Sequence, residues 1–269
     1  LTTIVPPGRE MHAFARINSA DSVARLVGPF IGGLTLEIGI WAAFGVDAMT
    51  FVVASVIVAT LPRQRTRTAD ADSRPTWRAD FGEAVAAMRA RPTYLALVGV
   101  GAFGNLAGLT MAGLFVPFAS EVLHFRSVGF GFGVLLALLG LGGLLANAIA
   151  NRQREHDPRS AGLSMAVVGL VVFAVGALPS VATAAIAMLV AGGAFGYYQA
   201  NYSAYRQQVF APELLGRVAM ATRTIFYLTM VVGFATGGLI ADNWGADRLF
   251  MIFGAISVVG TVTIGFIPI

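Results

Sequence analysis

The sequence predicts an all-α bundle of membrane-spanning helices, a polytopic transmembrane fold. One observation is composition: 57% of the 269 residues are hydrophobic, 12% are charged and 32 are glycine, the balance of a chain dissolved in lipid rather than one with a charged surface. Another is spacing, because the charged residues fall between uncharged runs long enough for a helix to cross ~30 Å of hydrocarbon, which takes about 20 residues. The third is an internal repeat. Gly28-Pro29-Phe30-Ile31-Gly32-Gly33 returns as Gly233-Phe234-Ala235-Thr236-Gly237-Gly238, a constant offset of 205 residues that also carries Pro7 onto Pro212. With one residue inserted the echo continues, so that Gly39 meets Gly245 and Phe51-Val52-Val53 meets Ser257-Val258-Val259.

Taken in order, the first two spans are the weakest by hydropathy. Asp21 and Arg25 flank the short run Leu26 to Leu36, and Asp47 interrupts Ile38 to Leu61. The repeat decides for spans, since its second copy, Val218 to Ala241 and then Leu249 to Ile267, is long enough to cross twice. In the first copy, four-residue glycine spacing puts Gly28 and Gly32 on one helix face where another backbone can approach, and Pro29 removes a hydrogen bond and bends the segment. Pro62 to Arg91 is the longest polar segment. Its first part, Arg63 to Pro75, has a linker's composition, and its second sets Trp77, Phe81, Val85 and Met88 at helical spacing, the pattern of a short amphipathic helix in the headgroup region. Residues 92 to 120 and 127 to 151 supply one span each. The interval from Ser160 to Tyr205 is 46 residues long and holds two, hinged at Pro179-Ser180. Residues 224 to 241 and 249 to 269 supply the last two, for eight in all. Alternating the loops then places 16 of the 18 arginines on one side, with only Arg126 and Arg248 on the other. By the positive-inside rule the N-terminus and the linker are cytoplasmic, in a cell membrane.

Several function classes are disfavoured. No cysteine is present, and His12, His124 and His156 stand far apart, so no disulfide or metal site is expected. The net charge of +4 comes from arginines clustered between apolar runs, with no lysine, which membrane topology explains better than nucleic-acid binding. There is no phosphate-binding glycine loop, nucleophile elbow or paired His-Glu metal helix, so neither an enzyme nor a cofactor is expected.

Two related helix pairs, a polar linker and a six-helix block resemble the major facilitator superfamily, whose twelve helices form two bundles. Gly28 to Gly33 looks like the second half of the antiporter motif on that family's fifth helix, without the glycines expected upstream. Phe210-Ala211-Pro212-Glu213-Leu214-Leu215-Gly216-Arg217-Val218 resembles the loop before the eleventh helix in enterobactin-type and macrolide-type exporters. Phe81 to Val85 with Arg91-Pro92 resembles that branch's approach to the seventh. Asn147 and Asn151 stand where relatives often carry the Gly and Asp of a loop signature. The resemblance implies that residues 1–61 end the first bundle, 62–91 link, 92–269 form the second, and four helices precede Leu1, so that the chain is a fragment. It also implies proton-coupled export of a small organic compound by alternating access. A non-transporting remnant, or a scaffold that needs a partner chain such as the missing helices, stays open beside it.

Polar groups inside a bilayer are costly and mark candidate sites. Tyr197, Asn201 and Tyr205 fall at i, i+4 and i+8 of one span, a stripe suited to an amphipathic substrate or to an interfacial aromatic belt. Asn105 is better centred in its span, lining a cavity or bonding between helices. Arg223 and Tyr227, one turn apart, either attract a substrate or sit at the membrane surface. Asp47, about 10 Å in from the outer face at 1.5 Å per residue, is the proton-coupling candidate, with a structural hydrogen bond as the alternative. Glu37 and Glu121 lie at outer helix ends and are expected to be solvated. Gly28, Pro29, Gly32, Gly33, Gly233, Gly237 and Gly238 are the candidates for a bundle interface.

Overall fold

A computed structural model describes residues 23–24, 27–28, 31–60, 77–124, 128–150 and 157–265. Pro29, the linker's first part and the Asn151 loop lie outside the described residues. The described residues are helical with short breaks: α1 (31–38), α2 (Ile40–Thr60), α3 (Trp77–Arg89), α4 (Pro92–Glu121), α5 (Val128–Ala150), α6 (Pro158–Ala177), α7 (Val181–Val209), α8 (Pro212–Trp244) and α9 (Ala246–Gly265). Seven of these, α2 and α4 to α9, are long and apolar enough to cross a membrane. Of the first expected span, residues 27–28 and 31–38 are described, and all of them are helical.

Local chemistry sets the boundaries. Ser180 breaks the long interval after Pro179 and caps α7, its Oγ accepting the Thr183 N–H at 3.0 Å. Asp157 does the same for α6, accepting the N–H groups of Arg159 and Ser160 at 3.0 and 3.1 Å. Pro92, Pro158 and Pro212 each stand in a first turn, where proline's missing N–H costs nothing. The 33 residues of α8 measure roughly 50 Å, well beyond the hydrocarbon, so its first turns project past the bilayer.

The repeat is visible in the backbone. Gly39, between α1 and α2, has φ +145°, and Gly245, between α8 and α9, has φ +92°. The flanking bonds also correspond: Gly39 N–H to Thr35 O (3.2 Å) and Ala43 N–H to Gly39 O (3.2 Å) match Gly245 N–H to Ala241 O (2.9 Å) and Leu249 N–H to Gly245 O (3.2 Å).

In the block from α4 to α9, α4 packs on α6, α8 and α9, while α5 pairs with α7 and α6 with α9. Small residues let these pairs close up. A Cβ on Gly192 would strike the Leu139 carbonyl, one on Gly142 the Leu189 carbonyl, and one on Gly254 would stand 2.7 Å from Gly169 O. The linker helix α3 presses Ala84 and Met88, not Trp77, into this block. Trp77 is 72% exposed, and Arg217 on α8 reaches across to Asp80 (Nε to Oδ1, 3.0 Å) and to Glu83, which turns the Ala84 and Met88 face inward.

Candidate functional site

The most connected polar cluster among the described residues lies at the arginine-rich end of the block, where α4, α7 and α8 converge over α3. Tyr94, two residues into α4, is fully buried. Its hydroxyl lies 2.6 Å from that of Tyr202 and 3.2 Å from Thr222 Oγ1. Thr222 donates to the carbonyl of Val218 at 2.9 Å and touches Met88 Sδ at 3.6 Å, and Tyr198 donates to the Leu97 carbonyl at 2.8 Å. The rings form a column. Tyr202 stacks on Tyr94 and on Tyr198, each at 5.5 Å, and Phe210 meets Tyr94 edge-on at 4.8 Å. Arg91 closes the Phe210 end at 4.9 Å, and Arg206 lies against the middle ring, Tyr202, at 5.4 Å. A column of this kind ties three helices together and supplies no proton donor to open water. It is a structural clasp with a polar interior, set about 30 Å along α7 from Val181, so at the membrane boundary rather than the midplane.

The expected stripe on α7 is placed differently around the helix. Tyr198, Asn201 and Tyr202 are buried, whereas Tyr197 and Tyr205 are half-buried. Tyr197's hydroxyl lies 3.0 Å from Ser160 Oγ on α6. Asn201 turns its amide onto the Tyr197 carbonyl one turn back at 2.9 Å and leaves its Oδ1 buried without a partner in the described structure. Asn105 also folds back, donating to Gly101 O at 2.8 Å, in the middle of α4. Arg223 and Tyr227 sit exposed on α8, Tyr227 at 55%. Counting from Gly245, Arg223 stands roughly 33 Å along the helix, at the edge of the hydrocarbon. Asp47 is exposed on α2, with no side-chain partner among the described residues.

The close backbone approach expected at Gly28 and Gly32 occurs instead at Gly33. A Cβ there would stand 2.7 Å from Gly129 O and 3.2 Å from Gly133 Cα of α5, while Gly28 and Gly32 have nothing within 4 Å. In the second copy Gly233 and Gly237 are buried within α8, and Gly238 faces open space. Glu37, expected to be solvated, accepts the Phe130 N–H at 3.3 Å.

Tyr94 and Thr222 went unread in the sequence, and Tyr198 and Tyr202 lay in the polar run Tyr197 to Arg206 without being singled out. One signal was available: Ala184, Ala187, Met188 and Ala191, which the structure buries, lie on a helical stripe whose continuation passes through Tyr198 and Tyr202. A further signal is Gly101, where any Cβ would overlap the Tyr198 hydroxyl.

Seven described helices long and apolar enough to cross a membrane, with the sequence echo between α1–α2 and α8–α9, make this chain a multi-pass membrane bundle. The model of the Major Facilitator Superfamily matches residues 1–234, most of the chain. The chain belongs to that family. It is similar to macrolide efflux protein A of Streptococcus pyogenes, 25% identical over 252 residues that cover 88% of this chain and 60% of the relative. The same protein from a serotype M6 strain of that species matches equally. The chain thus spans about 60% of the length of the curated relatives it matches.

Proposed function

We propose that the protein carrying this chain is a secondary active exporter that moves an amphipathic small organic compound, of the macrolide type, out of the cell by alternating access. The repeated helix pair carries this reading. Transporters of this architecture hold their substrate between repeats and rock one block against the other, and here α1 and α5 meet through glycines that offer little side-chain interlock. In this scheme the arginine-rich side is cytoplasmic and the membrane is the cell membrane. Asn105, Asn201, Tyr197 and Tyr205 contribute the second block's polar groups, Arg223 and Tyr227 on the open face of α8 meet the substrate as it enters, and Asp47 carries the coupled proton. Gly28, Pro29, Gly32, Gly33, Gly233, Gly237 and Gly238 keep the facing helices slim. Lipid and substrate are the partners, together with whatever helices complete the first bundle.

A second reading, a membrane scaffold that works only with a partner chain, draws on one observation: α2 has no buried residue. Expression of the complete gene in an exporter-deleted bacterium separates the two. The expected result is lower macrolide accumulation, abolished by a protonophore, and Asp47→Asn uncouples it. Export by Asp47→Asn equal to the parent removes the proton role. Absence of macrolide movement, with the full-length protein present in the membrane, removes the exporter reading.

A further inference from the structure

The contact between α1 and α5 holds a feature that the exporter reading does not use. First-turn amides have no partner within their own helix, and a carboxylate placed there gains from both the hydrogen bond and the helix dipole. Such a cap ordinarily comes from the residue just before the helix. For α5 the Phe130 N–H donates to Glu37 Oε1 at 3.3 Å, and Glu37 belongs to a different helix, 93 residues earlier. It sits beside the glycine seam: a Cβ on Gly129 would stand 3.2 Å from Leu36 Cβ and 3.5 Å from Glu37 Oε1 and Gly33 O.

We propose that Glu37 is a detachable cap that latches α1 to α5, so that the end of the molecule opposite the arginine-rich one opens only when this carboxylate leaves the first turn of α5. For its role in transport the inference rests on the exporter reading; the latch itself rests on the contact. Both features suit separation. Glu37 and Phe130 are exposed, so water replaces the carboxylate on the freed N–H and no donor is stranded. At Gly33 the seam is glycine against glycine, facing Gly129 and Gly133, so this part separates without side-chain interlock and only Leu36 slides off Gly129. Glu37 acts as a positioning residue, holding two blocks in register without touching substrate.

The 269 residues contain no cysteine, so once any cysteine outside them is replaced a Leu36→Cys/Gly129→Cys pair reports this contact alone. Its Cβ separation of 3.2 Å is about 0.6 Å under the usual disulfide value of about 3.8 Å, so the two helices shift apart slightly to close the bond. In the full-length protein in membrane vesicles, the rate of oxidant-driven cross-linking is expected to fall about fivefold with Glu37→Ala, the order expected for a lost cap. It is expected to fall much less with Glu37→Gln, which keeps an acceptor oxygen. An unchanged rate in Glu37→Ala overturns the latch, as does a membrane-inserted pair that never cross-links. Amide exchange over residues 128–132 of the cysteine-free protein gives a second reading: faster exchange in Glu37→Ala, restored toward the parent in Glu37→Gln, supports the latch, and equal protection in all three overturns it. A protein that latches but moves no macrolide removes the exporter reading alone. Macrolide export with cross-linking indifferent to Glu37 removes the latch alone.

Discussion

The helix pairs α1–α2 and α8–α9 share a sequence echo and a glycine break, and they have opposite surroundings. At the offset of 206 residues set by Gly39 and Gly245, Phe250 corresponds to Phe44. Phe250 is 0% exposed and packs edge-on against Phe118 at 4.9 Å, whereas Phe44 is 61% exposed. Likewise Phe253, buried in the block, corresponds to the exposed Asp47. α9 is enclosed by α4 and α6, and α2 buries no residue. Pair geometry is therefore a local property, set by a glycine that reaches φ values other residues avoid, while burial is supplied by neighbours. Within this chain the same local plan serves as a core element in one place and as an exposed one in the other.

The sharpest way to break this comparison is to enlarge the corresponding small residues. Gly254 of α9 lies against α6, where a Cβ would meet Phe173 N at 2.5 Å and Gly169 O at 2.7 Å. Its counterpart Ala48 is exposed on α2. Gly254→Leu is expected to cost upwards of ~3 kcal/mol, beyond ordinary overpacking because the obstacle is backbone. Ala48→Leu is expected to be near neutral. Detergent-solubilised melting temperature checks both; equal effects would mean that α2 is enclosed as α9 is.

The break itself gives the next largest effect. Gly245→Ala forces a side chain into a φ of +92° and against Asp247 Oδ1 at 2.6 Å, a strain of about 1–3 kcal/mol. Gly39 has a similarly unfavourable φ of +145°, with nothing within 4 Å of a Cβ. Gly39→Ala is expected to alter the α1–α2 junction with little change in the melting of the main block. A matching loss of melting temperature in both variants would show the two pairs melting as one unit.

How much of this was legible follows the same division. Local chemistry was readable: the glycine breaks from the repeat, the Pro179-Ser180 hinge from a breaker followed by a cap, and the linker helix from its spacing. Contacts between helices were not. The Tyr197, Asn201 and Tyr205 stripe is as regular as the buried Tyr198 and Tyr202 pair, and only neighbours such as Gly101, which leaves room for the Tyr198 hydroxyl, decide which face turns inward. Gly28 and Gly32 were as plausible as Gly33 for the same reason. In a chain this apolar, hydrophobic periodicity does not mark the inner face, because lipid and core favour the same side chains.

The tyrosine column tests whether the enclosed block owes its arginine-rich end to polar bonding as well as packing. Tyr94→Phe keeps the ring and removes a hydroxyl bonded at 2.6 and 3.2 Å to Tyr202 and Thr222. A loss of about 1–2 kcal/mol is expected, with strong non-additivity in the Tyr94→Phe/Tyr202→Phe double variant because each removes the other's partner. Denaturation of the purified protein, followed by tyrosine fluorescence, measures the coupling. Strict additivity would mean that the two hydroxyls are not bonded to one another.

The smallest effect belongs to the ion pairs that join the linker to the block. Arg217 holds Asp80 at 3.0 Å and also Glu83, yet its side chain is 36% exposed and Asp80's is 35% exposed. Exposed pairs contribute roughly 0.2–1 kcal/mol and weaken with salt. Arg217→Ala is thus expected to leave the melting temperature of the block nearly unchanged while loosening α3, whose remaining hold is the burial of Ala84 and Met88. Limited proteolysis between α3 and α4, at Ala90-Arg91, reads this directly, with faster cleavage in Arg217→Ala at low salt and a shrinking difference as salt rises. Met88→Ala provides the contrast, because it removes apolar contact and its effect persists at high salt. If the two variants respond to salt alike, α3 is held by packing alone and the arginine is incidental to it.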